Sequence, residues 1–151
     1  MTSLEDDARN KFRDGVKKFQ KNNLVGAKAD FKESLRLDPT SSKVNFNLGV
    51  VEQALDNHDL AIECYEKAVE VFPLLMLLNG AKFSDVELDP TFSDAYHNLA
   101  LLYAQRLDAD LAVKNYKKAL DNNPSNPAQI WNNYGACLES ICGDPEQAKA
   151  A

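Results

Sequence analysis

The sequence predicts an all-α fold, a solenoid of antiparallel helix pairs stacked side by side. Three observations carry that expectation. A word recurs at a spacing close to 34 residues, most clearly as Asn45-Phe46-Asn47-Leu48-Gly49, then Ala61, Tyr65, Ala68 and Pro73. Within the second copy the apolar residues step by three and four, the period of a helix. Small residues return at fixed places: Gly15, Gly49, Ala100 and Gly135 in the first helix of a pair, Ala27, Ala61 and Ala112 in the second. One pair cannot bury its own apolar stripe, so copies stack and share a continuous core.

Copy one predicts helices over about 5–20 and 24–37 and carries Gly15, Ala27, Phe31, Ser34 and Pro39. Copy two predicts 42–55, where Val44, Leu48, Val51 and Leu55 line one face, and 59–71, where Leu60, Ile62, Tyr65, Ala68 and Val69 form a second stripe. Asp56-Asn57-His58-Asp59 breaks the two apart, with Asp59 expected as N-cap. Gly15 to Gly49 is 34 residues, but Gly49 to Ala100 is 51, so 17 are extra. Joining Ala68-Val69-Glu70 to Leu88-Asp89-Pro90 restores an ending like Leu35-Arg36-Leu37-Asp38-Pro39, which places the insertion at about 71–87. It holds the apolar run Leu74–Leu78 and the turn signal Asn79-Gly80. We expect a long loop or short extra helix packed on copies two and three, or, as the sharper alternative, a contact surface for another chain. An insertion of half a repeat also allows the superhelix to break in two at this point.

Copy three predicts 93–106 and 110–121 and carries Tyr96, Leu99, Ala100, Tyr103, Ala112, Tyr116, Ala119 and Pro124. Copy four opens over 127–141 with Trp131, Tyr134, Gly135 and Leu138, and an eighth helix begins near 145, as in a piece of a longer array. Glycine inside a helix costs about 1 kcal/mol relative to alanine, so three such glycines imply close helix approach. Pro39, Pro90 and Pro124 end second helices or begin the next turn, since proline cannot continue a helix.

These positions resemble the tetratricopeptide repeat, whose pattern is W-x2-L-G-x2-Y, then A-x3-F, then P. The resemblance covers roughly 8–70 and 88–151. It implies a right-handed superhelical solenoid, a single domain over 1–151 with repeats at about 8–41, 42–70 plus 88–92, 93–127 and 128–151. It also implies that the first helix of each pair lines a concave groove. In that register the groove carries Arg9, Phe12 and Arg13, then Lys43, Phe46 and Asn47, then His97 and Asn98, then Asn133. Asn47, Asn98 and Asn133 stand at one place in three copies, directly before Leu-Gly, Leu-Ala and Tyr-Gly. An amide offers a donor and an acceptor together, the pair that a peptide backbone presents. The row is similar to the asparagine ladder of the O-linked N-acetylglucosamine transferase repeat domain. Co-chaperones of this family instead grip a terminal carboxylate with lysine, asparagine and arginine. At those places this sequence has Phe12, Val16, Asp94 and Asn98, and of the clamp only Asn47 survives.

Chemistry of other kinds finds little support. With two histidines, His58 and His97, and no glycine-rich phosphate loop, the sequence assembles no catalytic group. His97 lies one helical turn from Asp94 without a positioned nucleophile and is read as a surface residue. Cys64, Cys137 and Cys142 form no CxxC pair, so neither zinc nor another cofactor is expected. Trp131, Tyr96, Tyr65 and Tyr116 are read as core. A net charge of −6 disfavours nucleic acid, which needs a basic face. The acidic start and unpatterned cysteines suit the cytoplasm or nucleus, and no apolar run approaches the ~18 residues of a membrane span. The expected function is an adaptor that binds an extended peptide or partner helix, with Asn47, Asn98 and Asn133 on its backbone. Arg9, Phe12, Arg13, Lys43 and Phe46 would supply specificity. Two alternatives stand beside it: the substrate-recruiting arm of a larger enzyme such as a glycosyltransferase, and a self-assembling module that uses Leu74–Leu78 or the last repeat.

Overall fold

Each helix pair is closed by one backbone turn, placed seven residues beyond the small residue of its first helix. Asn22, Asp56 and Leu107 stand there, all left-handed with φ of 58°, 65° and 60°. The next N–H reaches five residues back: Asn23 to the Lys18 carbonyl at 2.9 Å, Asn57 to Glu52 at 2.9 Å and Asp108 to Tyr103 at 3.0 Å. The left-handed residue itself bonds the carbonyl three back, at Phe19, Gln53 and Ala104. This is the Schellman arrangement, which satisfies the last carbonyls of a helix. Asparagine and aspartate tolerate the left-handed region, whereas leucine carries a strain of roughly 1 kcal/mol. The residue after the turn starts the second helix: Asn23 Oδ1 accepts from the Gly26 N–H at 2.9 Å and Asp108 Oδ1 from the Leu111 N–H at 3.1 Å.

The computed structural model describes residues 3–79 and 90–142. Among them are seven α-helices and no strand: α1 (Ser3–Gln20), α2 (Leu24–Leu37), α3 (Ser42–Ala54), α4 (His58–Asn79), α5 (Pro90–Gln105), α6 (Ala109–Asp121) and α7 (Pro127–Cys137), which continues as a π-helical turn over Leu138–Cys142. Two compact units divide at Gly80, one with α1 to α4 and one with α5 to α7. The boundary falls inside the inserted segment. In the first unit α1 packs on α2, α2 on α3 and α3 on α4; in the second α5 packs on α6 and α6 on α7.

Three expectations change. Because Asp56 takes the left-handed turn, α4 begins at His58 and the Ala61 N–H bonds the Asn57 carbonyl. The N-cap place therefore belongs to Asn57, not Asp59. α4 does not stop near residue 71; its backbone runs through Pro73 to Asn79. Leucine and methionine are strong helix formers, and a proline removes one bond of the ladder without forbidding the rest. α5 starts at Pro90, three residues earlier than expected, since proline suits a first helical turn. The side chains of Leu74–Leu78 and the eighth helix near 145 lie outside the described residues.

The small residues do what their spacing implies in two copies. A methyl on Gly15 would sit 2.6 Å from the Phe31 ring, and one on Gly49 2.7 Å from the Tyr65 ring. Each ring lies sixteen residues on and is buried, and Tyr116 repeats the relation to Ala100. Gly135 is the exception, with nothing among the described residues within 4 Å of its would-be methyl. Sixteen residues beyond it the sequence holds Ala151 and no ring. Trp131, expected as core, is also 42% exposed and lies along Tyr134 at 5.9 Å. No second helix of the fourth pair covers that side of α7 among the described residues.

Three residues beyond each small residue the two units diverge. The second unit places Tyr103 and Leu138 there; the first places Lys18 and Glu52. Lys18 pairs with the buried Asp30 at 2.6 Å. Glu52, 1% exposed, takes the Lys28 ammonium at 2.9 Å and the Asn57 amide at 2.9 Å, so one carboxylate ties α2, α3 and the following turn together. Otherwise the first unit's core includes the cluster Ala27, Phe31, Val44, Leu48, Val51 and Cys64, with Ala61, Tyr65 and Ala68 of α4 also buried. The second unit's core includes the cluster Ala100, Ala112, Tyr116, Ala119, Ile130, Tyr134, Cys137 and Leu138, with Ala95, Leu99 and Leu102 of α5 also buried.

Candidate functional site

In the first unit the groove-register residues come from α1 and α3. Ser41 Oγ caps α3 by accepting the Val44 N–H at 3.4 Å, and this sets the phase of Lys43, Phe46 and Asn47. Arg9, Phe12 and Lys43 line one cavity of about 350 Å³, together with Glu5, Ala8, Ser34, Asp38, Ser41 and Val44. Its floor is the half-buried Phe12 ring, 5.8 Å from Phe31, with the Lys43 ammonium 5.7 Å above the ring centre. A cation over an aromatic face is attracted by the ring quadrupole. The carboxylate of Asp38 is occupied locally by the Thr40 N–H and hydroxyl at 3.1 and 2.8 Å. Phe46 is half-buried against Tyr65 at 5.7 Å. Arg13 is exposed and donates to Asn10 Oδ1 at 3.1 Å, and the Asn47 amide donates to the Lys43 carbonyl at 2.8 Å. Neither Arg13, Phe46 nor Asn47 borders the cavity of Arg9, Phe12 and Lys43.

In the second unit α5 carries His97 and Asn98, and α7 carries Asn133. Asn126 Oδ1 caps α7 on the Gln129 N–H at 3.3 Å, with Pro127 in the first turn. The Asn133 amide nitrogen lies 2.9 Å from His97 Nε2, across 36 residues of sequence. An amide nitrogen can only donate, so this pairing goes with the Nδ1–H tautomer of the ring, in which Nε2 accepts. His97 also packs 6.1 Å from the Tyr116 ring. It is half-buried, not the surface residue the sequence suggested, because α6 and α7 close over it. Burial pushes its pKa below the usual 6.5 and outweighs the opposing pull of Asp94. Burial likewise raises the Tyr116 hydroxyl to about 12. Asn133 borders a second cavity of about 350 Å³ with Leu101, Ala104, Gln105, Leu107, Tyr116, Ala136, Cys137 and Ser140. Asn98 is half-buried on α5 beside His97.

The three amides thus divide, Asn47 in the first unit and Asn98 with Asn133 in the second. The bond between His97 and Asn133 was not foreseen, although it had a signal: they stand one residue apart in the register of consecutive first helices. The Lys28–Glu52–Asn57 group was announced only by a carboxylate where other copies place Tyr103 and Leu138. No cluster of three metal-ligating side chains occurs among the described residues, and no described helix is long and apolar enough to cross a membrane.

Comparison with known proteins gives a consistent picture. Models of the tetratricopeptide repeat match residues 42–73, 93–126 and 115–150, together more than half of the chain. No curated protein matches. Among solved structures the chain is similar to the N-terminal domain of stress-induced protein-1 (STI-1) from C.elegans, with TM-score 0.71, 16% identity, and coverage of 91% of this chain and 98% of that one. It is also similar to the first repeat domain of Spaghetti (RPAP3) bound to the HSP90 peptide SRMEEVD, with TM-score 0.73, 15% identity and coverage of 91% and 95%. The TPR2B domain of yeast Sti1, in complex with an Hsp70 segment, gives TM-score 0.69, 20% identity and coverage of 91% and 98%. At these identities the likeness is one of fold.

Proposed function

The chain belongs to the tetratricopeptide repeat family, and from that premise we propose that it is an adaptor for a peptide segment of another protein, with no catalysis of its own. The observation that carries the reading is the cavity where Arg9 and Lys43 flank the Phe12 ring. An apolar side chain fits against that ring while a neighbouring carboxylate meets the two cations. Similarly folded domains seen with HSP90 and Hsp70 segments support a peptide as the class of ligand. The recognition mode we propose is backbone reading by asparagine, not capture of a terminal carboxylate. Phe12 stands where the clamp would need a cation, and its ring is packed on Phe31. In the second unit Asn98 and Asn133 are the backbone-reading groups, with Leu101 and Ala136 as apolar walls. Two buried thiols, Cys64 and Cys137, suit a reducing compartment such as the cytoplasm.

The test is a panel of immobilised random peptides followed by amide shift mapping of each binder. Shifts centred on Arg9, Phe12, Lys43, Phe46, Asn98 and Asn133 are expected. Shifts confined to the outer faces of α2, α4 and α6 would contradict the reading.

A further inference from the structure

We infer that His97 is a specificity-determining residue for peptide binding, because it fixes which end of the Asn133 amide is left to the ligand; this rests on the peptide-binding reading above. An asparagine amide is ambidextrous: rotated by half a turn it exchanges acceptor for donor with almost no change of shape. A lone groove asparagine can therefore satisfy either a backbone N–H or a backbone C=O. The bond across α5 and α7 removes that freedom. With Nε2 accepting at 2.9 Å, one N–H of the amide is held by the ring, which turns the NH2 end toward His97 and leaves Oδ1 outside that bond. Asn133 also borders the second unit's cavity, where a ligand can donate to Oδ1. While His97 is neutral this position reads a peptide N–H.

Protonation reverses the rule. An imidazolium has two donors and no acceptor. Asn133 must then turn its oxygen to the ring and present NH2 to the groove. A peptide N–H that had been accepted now faces another donor, and the position prefers a C=O. Among the described residues the groups set against the ring are Asp94 on its own helix, the Tyr116 ring from α6 and the Asn133 amide from α7. Asp94 favours the proton, while burial opposes it more strongly. The neutral, N–H-reading form therefore holds at neutral pH, and the exchange occurs in acid, below the ordinary histidine range. An isolated surface amide shows no such dependence.

Two measurements test this on the intact chain. The first is the imidazole nitrogen NMR spectrum of His97 without any peptide. An Nδ1–H tautomer that changes in Asn133→Ala is expected; an Nε2–H tautomer, or one indifferent to Asn133→Ala, overturns the inference. The second takes binders from the random-peptide panel and remakes each with single backbone N-methyl groups. One N-methyl position should weaken binding by about tenfold to the wild type and not to Asn133→Ala, as for one lost hydrogen bond. The parent peptides should lose about as much when His97 becomes charged, while His97→Gln, which has no proton to gain, stays flat with pH. Equal helicity of His97→Gln and wild type confirms folding. If peptides bind but His97→Gln follows the same pH curve, the inference falls and the adaptor function stands. If no peptide binds the wild type, both fall, whatever tautomer His97 shows.

Discussion

Alanine at Gly49 and alanine at Gly135 should change stability in opposite directions, although both glycines hold the same place in the repeat. In a helix interior alanine is favoured over glycine by about 1 kcal/mol, and this gain applies at both sites. At Gly135 nothing among the described residues lies within 4 Å of the new methyl, so Gly135→Ala should stabilise the second unit by about 1 kcal/mol. At Gly49 the methyl meets Tyr65 Cε1 at 2.7 Å and Cδ1 at 2.8 Å. The ring cannot swing aside. It is 0% exposed, its hydroxyl donates to Gln53 Oε1 at 2.9 Å, and the Phe46 ring packs against it at 5.7 Å. Overpacking of this kind costs about 1–3 kcal/mol, and a ring so held belongs near the top of the range. After the propensity gain, Gly49→Ala should destabilise the first unit by about 2 kcal/mol, and Gly49→Leu by more. Urea unfolding followed by far-ultraviolet circular dichroism reads both. Because repeats unfold in sections, each variant is compared with the wild type by its own transition. A Gly49→Ala protein as stable as Gly135→Ala would refute the idea that glycine spaces α3 from α4.

Other substitutions probe the remaining devices. Lys28→Ala should cost about 3 kcal/mol in urea unfolding, near the low end for breaking a buried pair because the lysine is partly exposed; a change within 0.5 kcal/mol, the usual scatter of surface substitutions, would show that Glu52 does not need it. Leu107→Asn should raise stability by about 1 kcal/mol, since the left-handed turn at φ 60° strains leucine and its side chain is 76% exposed; a loss would mean that the leucine packs more than its exposure suggests. Stability should also depend on His97. Its folded pKa lies below the unfolded value near 6.5, so the unfolded chain takes the proton first. The second unit should hold full stability above about pH 6.5 and lose it progressively as pH falls toward the lowered value. His97→Gln should remove that component of the urea-midpoint profile, and an unchanged profile would assign it elsewhere.

Much of the fold could be read from short-range pattern. The small residues recur at a fixed place, so the close approach of the paired helices at Gly15 and Gly49 is legible in the sequence, although the rings they face, Phe31 and Tyr65, are not. Helix ends were less so where a turn residue was not glycine. Asp56 tolerates a left-handed conformation without requiring it, so the sequence pattern places the cap two residues late, at Asp59. Proline misled in the same way, because Pro73 stops a helix only if the chain has a better use for the preceding carbonyls. The site was legible as residue types at groove positions and not as partnerships. Arg9, Phe12 and Lys43 meet at one cavity, whereas Arg13 and Asn47 spend bonds within their own helices. His97 looked like a surface residue because its burial comes from α6 and α7, which no local pattern reports.

The central claim is that amides on the first helices read a peptide backbone. Its most direct test is binding of the random-peptide panel to the wild type and to the Asn47→Ala, Asn98→Ala, Asn133→Ala triple variant, at matched helicity. The account predicts that the wild type binds and the folded variant loses at least tenfold in affinity, about one hydrogen bond's worth or more. Equal affinity in a folded variant, or no binding by either protein, would contradict it.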